Sequence, residues 1–137
     1  MTETVLRKSI FLRATPAQVW AYLTDPEKLA IWFHKPGAAL VEGDYEMFSA
    51  ESGDRIMWGE VLKAEPFSRL EYTFSIAPME GRQSTVKWLL EEVPGGTHLS
   101  LFHEGLPQGA EAFGLTLALD KGWDDHLARM RASAHAS

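Results

Sequence analysis

The sequence predicts an α+β fold in which an antiparallel β-meander is closed by a long C-terminal helix, with two short helices after the first strand. Three observations predict it. Two proline-capped helix starts follow a first apolar strand, alternating apolar runs broken by turns occupy residues 38 to about 105, and residues 110–134 are proline-free and rich in helix formers.

"VLRKSIFLR" (5–13) carries the β-branched and aromatic residues of a strand. In "ATPAQVWAYLTDPEKLAIWF", Thr15 precedes Pro16 and stands three residues before Gln18, a capping-box spacing with proline at the first helical position. Asp25 before Pro26 repeats the device, so one short helix ends where the next begins. Val19, Trp20 and Leu23 share a face of the first; Leu29, Trp32 and Phe33 share a face of the second. "SGD" (52–54), "EPFS" (65–68), "APMEG" (77–81) and "PGG" (94–96) then punctuate short strands. Alternation places Leu70, Tyr72, Phe74 and Ile76 inside, followed by Val86, Trp88 and Leu90, and by Leu99, Leu101 and His103. The run 55–63 fits two phases, with either Met57, Gly59 and Val61 or Ile56, Trp58 and Leu62 inward.

On the C-terminal helix, 100° steps gather Phe113, Thr116, Leu119, Asp120, Trp123, Leu127 and Met130 on one broad face. Asp124 falls at its edge, while Lys121, Asp125 and Arg129 point away. "KGWDDHLARM" (121–130) sets Gly122 beside Trp123 and follows them with Asp124, Asp125 and His126. Consecutive helical residues diverge, so that trio cannot converge on one ion and reads as a solvated face. Gly122 costs about 1 kcal/mol of helix propensity, and close approach to a neighbouring element is the expected compensation. Trp123 is aimed inward.

Composition narrows the function. At 137 residues the chain fits one domain, 1–137, with no repeat or linker. A net charge of −6 without a basic stripe argues against nucleic acid, and no apolar run approaches the ~20 residues of a membrane span. No signal-peptide core opens the chain, and zero cysteines exclude disulfides and cysteine-based metal sites, so the expected location is cytoplasmic. HExxH, GxSxG, GxGxxG and the phosphate-loop pattern are all missing, and no metal or cofactor is expected. Five Trp, seven Phe and three Tyr must fill a core, line a cavity or cover an interface.

Four stretches in this order resemble the activator of heat-shock-protein-ninety ATPase homologue family of the START-like (SRPBCC) superfamily. They are "TPAQVWAYLTDPEKLAIWF" with Pro36 after it, "GEVLKAEPFSRLEYTF" (59–74), "GGTHLSLFHEGL" (95–106) and "GW…L..M" from Gly122 to Met130. Met130 stands where the family usually has leucine, a volume-conserving exchange. The resemblance implies the helix-grip fold, a curved antiparallel sheet wrapped around the long C-terminal helix. It also implies the inward phase for Met57, Gly59 and Val61. Between helix and sheet the superfamily can leave a cavity for lipids, sterols or polyketides, and some members catalyse cyclisation or hydrolysis there.

The expectation is therefore non-catalytic binding of a hydrophobic or amphipathic small molecule between helix and sheet. The expected contacts are Trp123, Phe113, Thr116, Asp120 and Leu127 on the helix, Trp88, Phe74, Tyr72, Met57, Leu101 and His103 on the sheet, and Trp32. Any single ring among them is more readily read as core filler than as a ligand contact. Either His103 and Asp120 pair as the polar end, in which case they would be the acid–base candidates of a cyclase or hydrolase, or Asp120 sits at the helix rim in water. His34 is placed near the cavity mouth or on the surface, His98 outward and His135 in the tail. The alternative partners are a protein, as for the co-chaperone that names the family, or a second copy joined through a strand edge or Trp58.

Overall fold

The structure, a computed structural model, describes residues 4–49, 51–76, 83–106 and 113–135. Strand β1 (Thr4–Leu12) leads into α1 (Pro16–Thr24) and α2 (Pro26–Trp32). The Thr15 hydroxyl accepts from the Gln18 amide at 3.2 Å, and the Gln18 side chain accepts from the Thr15 amide at 2.8 Å, so the capping box is complete. Asp25 serves both helices. Its N–H closes α1 on the Ala21 carbonyl, and its carboxylate accepts from the Glu27 amide at 2.9 Å to open α2.

Six further strands follow: β2 (Lys35–Pro36), β3 (Gly43–Phe48), β4 (Arg55–Glu65), β5 (Arg69–Phe74), β6 (Ser84–Val93) and β7 (Gly96–Leu106). Together with β1 they form one antiparallel sheet in the order β1-β7-β6-β5-β4-β3-β2. The first strand thus lies against the last. Register shifts in β1, β3 and β4 bend the ribbon, as bulges do, into the curved sheet of a helix grip. Helix α3 (Phe113–Ala134) closes the chain. The turn at "APMEG" and the expected helix start at 110–112 lie outside the described residues.

The alternation was read in the correct phase. Leu70, Tyr72, Phe74, Val86, Trp88, Leu99, Leu101 and His103 are buried, and Met57 and Val61 settle the phase of β4, whereas Leu62 is exposed. Ile76 and Leu90, nearer strand ends, are half-buried. Gly59 is required by close approach, since a Cβ there would lie 2.3 Å from the Thr73 carbonyl oxygen of β5. At Gly96 the corresponding distance to the Leu12 carbonyl oxygen is 2.1 Å.

The inner face of α3 is narrower than expected. Trp123, Leu127 and Met130 are buried and Leu115 and Leu119 pack partly against the core, an i, i+4 ladder. Phe113 lies well round the helix from Trp123 and is 62% exposed, so its placement on the inner face is corrected. Gly122 is corrected too. Among the described residues a Cβ there would meet nothing within 4 Å, so no described element approaches closely and the glycine faces an opening. No helix among the described residues is long and apolar enough to cross a membrane.

Gly59→Ala and Gly96→Ala should each lower stability by about 2 kcal/mol or more through overpacking against backbone. Gly114→Ala, with nothing among the described residues within 4 Å of its added methyl, should cost nothing. Denaturant midpoints check all three.

Candidate functional site: the cavity beside Trp123

Trp123 is 2% exposed, and burying an indole leaves its N–H in need of an acceptor. His103 Nδ1 supplies it at 3.0 Å. An Nδ1 that accepts leaves Nε2 carrying the proton, and Nε2 lies 2.7 Å from the Ser84 hydroxyl, which donates to the Phe74 carbonyl at 3.0 Å. One neutral chain of hydrogen bonds thus joins α3, β7, β6 and β5. Burial lowers the His103 pKa to about 4, consistent with an imidazole locked uncharged.

Beside that ring a cavity of about 200 Å³ remains, lined by Phe33, His34, Phe74, Ile76, Ala118, Leu119, Gly122, Trp123 and His126. It lies where α3 passes the exit of α2 and the end of β5. Phe33 stacks on Trp123 with centroids 5.3 Å apart, and His126 meets Phe33 edge-on at 4.8 Å. An open groove of about 650 Å³ shares Phe33 and His34 and continues past Pro36, Phe48 and Ile56. A further groove of about 580 Å³ at the β2–β4 edge shares Pro36, Gly37 and Phe48 with it and holds Trp58 among Asp44, Glu46, Arg55 and Glu60, with the Arg55 guanidinium 4.4 Å from the indole ring. The polar lining of that second groove suits an apolar ligand less well than the ring-lined cavity.

The family model for Activator of Hsp90 ATPase homolog 1-like protein matches residues 13–134. The chain belongs to this family. Among solved structures, a protein from Mesorhizobium loti is 24% identical with a TM-score of 0.81, covering 93% of this chain and 94% of its own. DynU16, a protein in the dynemicin biosynthetic locus, is 24% identical with a TM-score of 0.80 over 97% of this chain and 48% of its own. The Aha1 dimer from Colwellia psychrerythraea is 17% identical with a TM-score of 0.79, over 96% of each chain. At these identities the likeness is one of fold. No curated protein matches the chain significantly.

Within this family member, the residues expected to line a single large cavity are dispersed. Of them, Phe74 and Trp123 border the cavity. Trp32, Trp88, Tyr72, Met57, Leu101 and Leu127 are buried in the core. Trp32 donates to the Tyr22 carbonyl at 2.7 Å and Trp88 to the Tyr72 hydroxyl at 3.0 Å, so their polar atoms are satisfied internally. Thr116 is half-buried outside the cavity, and Phe113 is exposed. The expected His103–Asp120 pair does not form. Asp120 is held by Lys8 at 2.6 Å, with Asp124 also on Lys8 at 3.0 Å. Burial alone would lower the Lys8 pKa, but the two carboxylates raise it.

As expected, Asp124, Asp125 and His126 diverge, and Asp125 pairs outward with Lys121 at 2.8 Å. His126, however, belongs to the site and not to a solvated face. Its Nδ1 is 2.9 Å from the Trp32 carbonyl, and the Arg129 guanidinium, read as pointing away, reaches the same nitrogen. His135 is tethered as well, its Nε2 accepting from the Arg13 amide at 2.9 Å. Phe33, His34 and Gly122 were all visible in the sequence. What was missing was the knowledge that the α2 exit faces α3. Among the described residues no group of three potential ligands comes together as a metal site.

Trp123→Ala should cost about 3–5 kcal/mol by chemical denaturation, since it removes a buried ring and the donor to His103. The unfolded chain protonates His103 near 6.5, the folded chain only near about 4. Stability should therefore hold above pH 7 and fall as pH drops from 6.5 toward 4, by about 3 kcal/mol from this group. In His103→Gln the difference between midpoints at pH 7.5 and pH 5 should shrink.

Proposed function

We propose that this protein binds a small apolar or amphipathic molecule, without chemistry, in the cavity beside Trp123. The observation that carries the reading is Gly122. A glycine in the middle of a 22-residue helix sacrifices propensity, and here it does so facing open space lined by Phe33, Phe74 and Trp123. An apolar cavity of about 150 Å³ suffices to hold benzene, so this one has room for a ligand of one or two rings. A longer ligand could extend into the adjoining groove past Phe48 and Ile56. The dynemicin locus in which DynU16 is placed supports a small-molecule reading. Non-catalytic binding is favoured because the expected acid–base pair is engaged elsewhere, His103 with Trp123 and Ser84, and Asp120 with Lys8.

A second reading, pairing of two copies, rests on a different surface. Phe113 and Leu117 on the first turns of α3 are 62% and 53% exposed, and the Colwellia psychrerythraea Aha1 is described as a dimer.

Titrated with naphthalene, the wild type should show saturable quenching of tryptophan fluorescence. Gly122→Leu should fold with unreduced thermal stability and lose that binding; binding unchanged in Gly122→Leu would sink the cavity reading. For the second reading, light scattering should show a dimer that Phe113→Asp with Leu117→Asp converts to monomer, leaving naphthalene binding intact.

A further inference from the structure

The cavity beside Trp123 is not uniformly apolar. Two imidazoles, His34 and His126, border it, with ring centroids 5.3 Å apart and planes at 81°. His126 Nδ1 is committed on the protein side, to the Trp32 carbonyl or the Arg129 guanidinium. It can form only one of those bonds at a time, and both leave Nε2 without a described hydrogen-bond partner. No described residue bonds to either ring nitrogen of His34, which contacts Phe33 and His126 through its ring alone. Half-buried polar atoms at a ring-lined cavity are what a ligand's own polar group would satisfy.

We propose that His34 and His126 form the hydrogen-bonding end of the cavity, and that the ligand it selects is an aromatic compound carrying one hydroxyl group. The proposal deepens the small-molecule reading and rests on it. A hydroxyl is singled out by its chemistry. Burial and the Arg129 charge lower the His34 pKa, and burial is also the main cause that lowers His126, to about 4, so near neutral pH both rings are uncharged. An uncharged imidazole offers one N–H and one lone pair, and a hydroxyl both donates and accepts. A carboxylate accepts only and would need a cation. Arg129, whose charge acts on both rings, is already turned to the Trp32 carbonyl and His126. The rings of Phe33 and Trp123 would hold the aromatic body, and Gly122 leaves room for it.

The test is a set of probes on the full chain at pH 7.5: naphthalene, 1-naphthol, 1-methoxynaphthalene and 1-naphthoate, followed by tryptophan fluorescence. 1-Naphthol should bind roughly tenfold more tightly than naphthalene, the worth of one or two neutral hydrogen bonds. Methylating the hydroxyl should remove most of that gain, and the carboxylate should bind no better than naphthalene. His34→Phe should abolish the preference for 1-naphthol while still binding naphthalene. Equal affinities for naphthalene and 1-naphthol, or tighter binding of 1-naphthoate than of 1-naphthol, would overturn the proposal and leave the apolar cavity standing. Failure of every probe to bind would overturn both. The wild-type series decides the matter even if His34→Phe folds poorly.

Discussion

The indole of Trp123 cannot be buried unless its N–H finds an acceptor, and His103 is that acceptor. From His103 the chain runs through Ser84 to a carbonyl of β5, so satisfying one donor ties the closing helix to three adjacent strands. The depth and rotation of α3 follow from this contact. With the ring seated over β5–β7, the residue before it faces the gap between β5 and the α2 exit. That residue is Gly122, and the gap stays open.

Two further tryptophans explain how so many rings fit beneath a sheet of this size. Trp32 and Trp88 stand edge to face at 5.8 Å, and Trp88 and Trp123 at 5.6 Å, geometries that suit the ring quadrupole. Each N–H has its own internal acceptor. A high aromatic content can fill a core, line a cavity or cover an interface. Here it forms a solid core with a small ring-lined cavity at one end. The polar demands of these three buried indoles are met by a carbonyl, a phenol and an imidazole already present, so no ligand is needed to satisfy them. Tyr72, which accepts from Trp88, has its own ionisation pushed upward by burial, in keeping with a phenol that serves as a neutral partner.

Legibility in the sequence followed the range of the interactions. The caps at Thr15 and Asp25 depend on residues two or three positions away, and both were read correctly. The inward sets on β5, β6 and β7 depend on a two-residue period and were also correct. The Asp120 pairing failed because its partner, Lys8, lies 112 residues away on β1. His126 failed for a similar reason. On a helical wheel it borders a charged face, but Trp32 and Phe33 cover that flank in the fold. Phe113 failed because, ten residues before Trp123, it stands about 80° round the helix from it and at the edge of the broad face, where it is exposed.

Helix starts, strand phase and element order are therefore properties of the local chain, written in capping groups and periodicity that act over one turn or one pleat. Which rings fill the grip, which border an opening, and which histidines stand at its edge depend on where the α2 exit, the end of β5 and α3 meet. That meeting is governed by packing and by hydrogen bonds between residues far apart in the chain. A glycine in a helix is the same letter whether a neighbour presses against it or nothing does, and only the arrangement around Gly122 distinguishes the two.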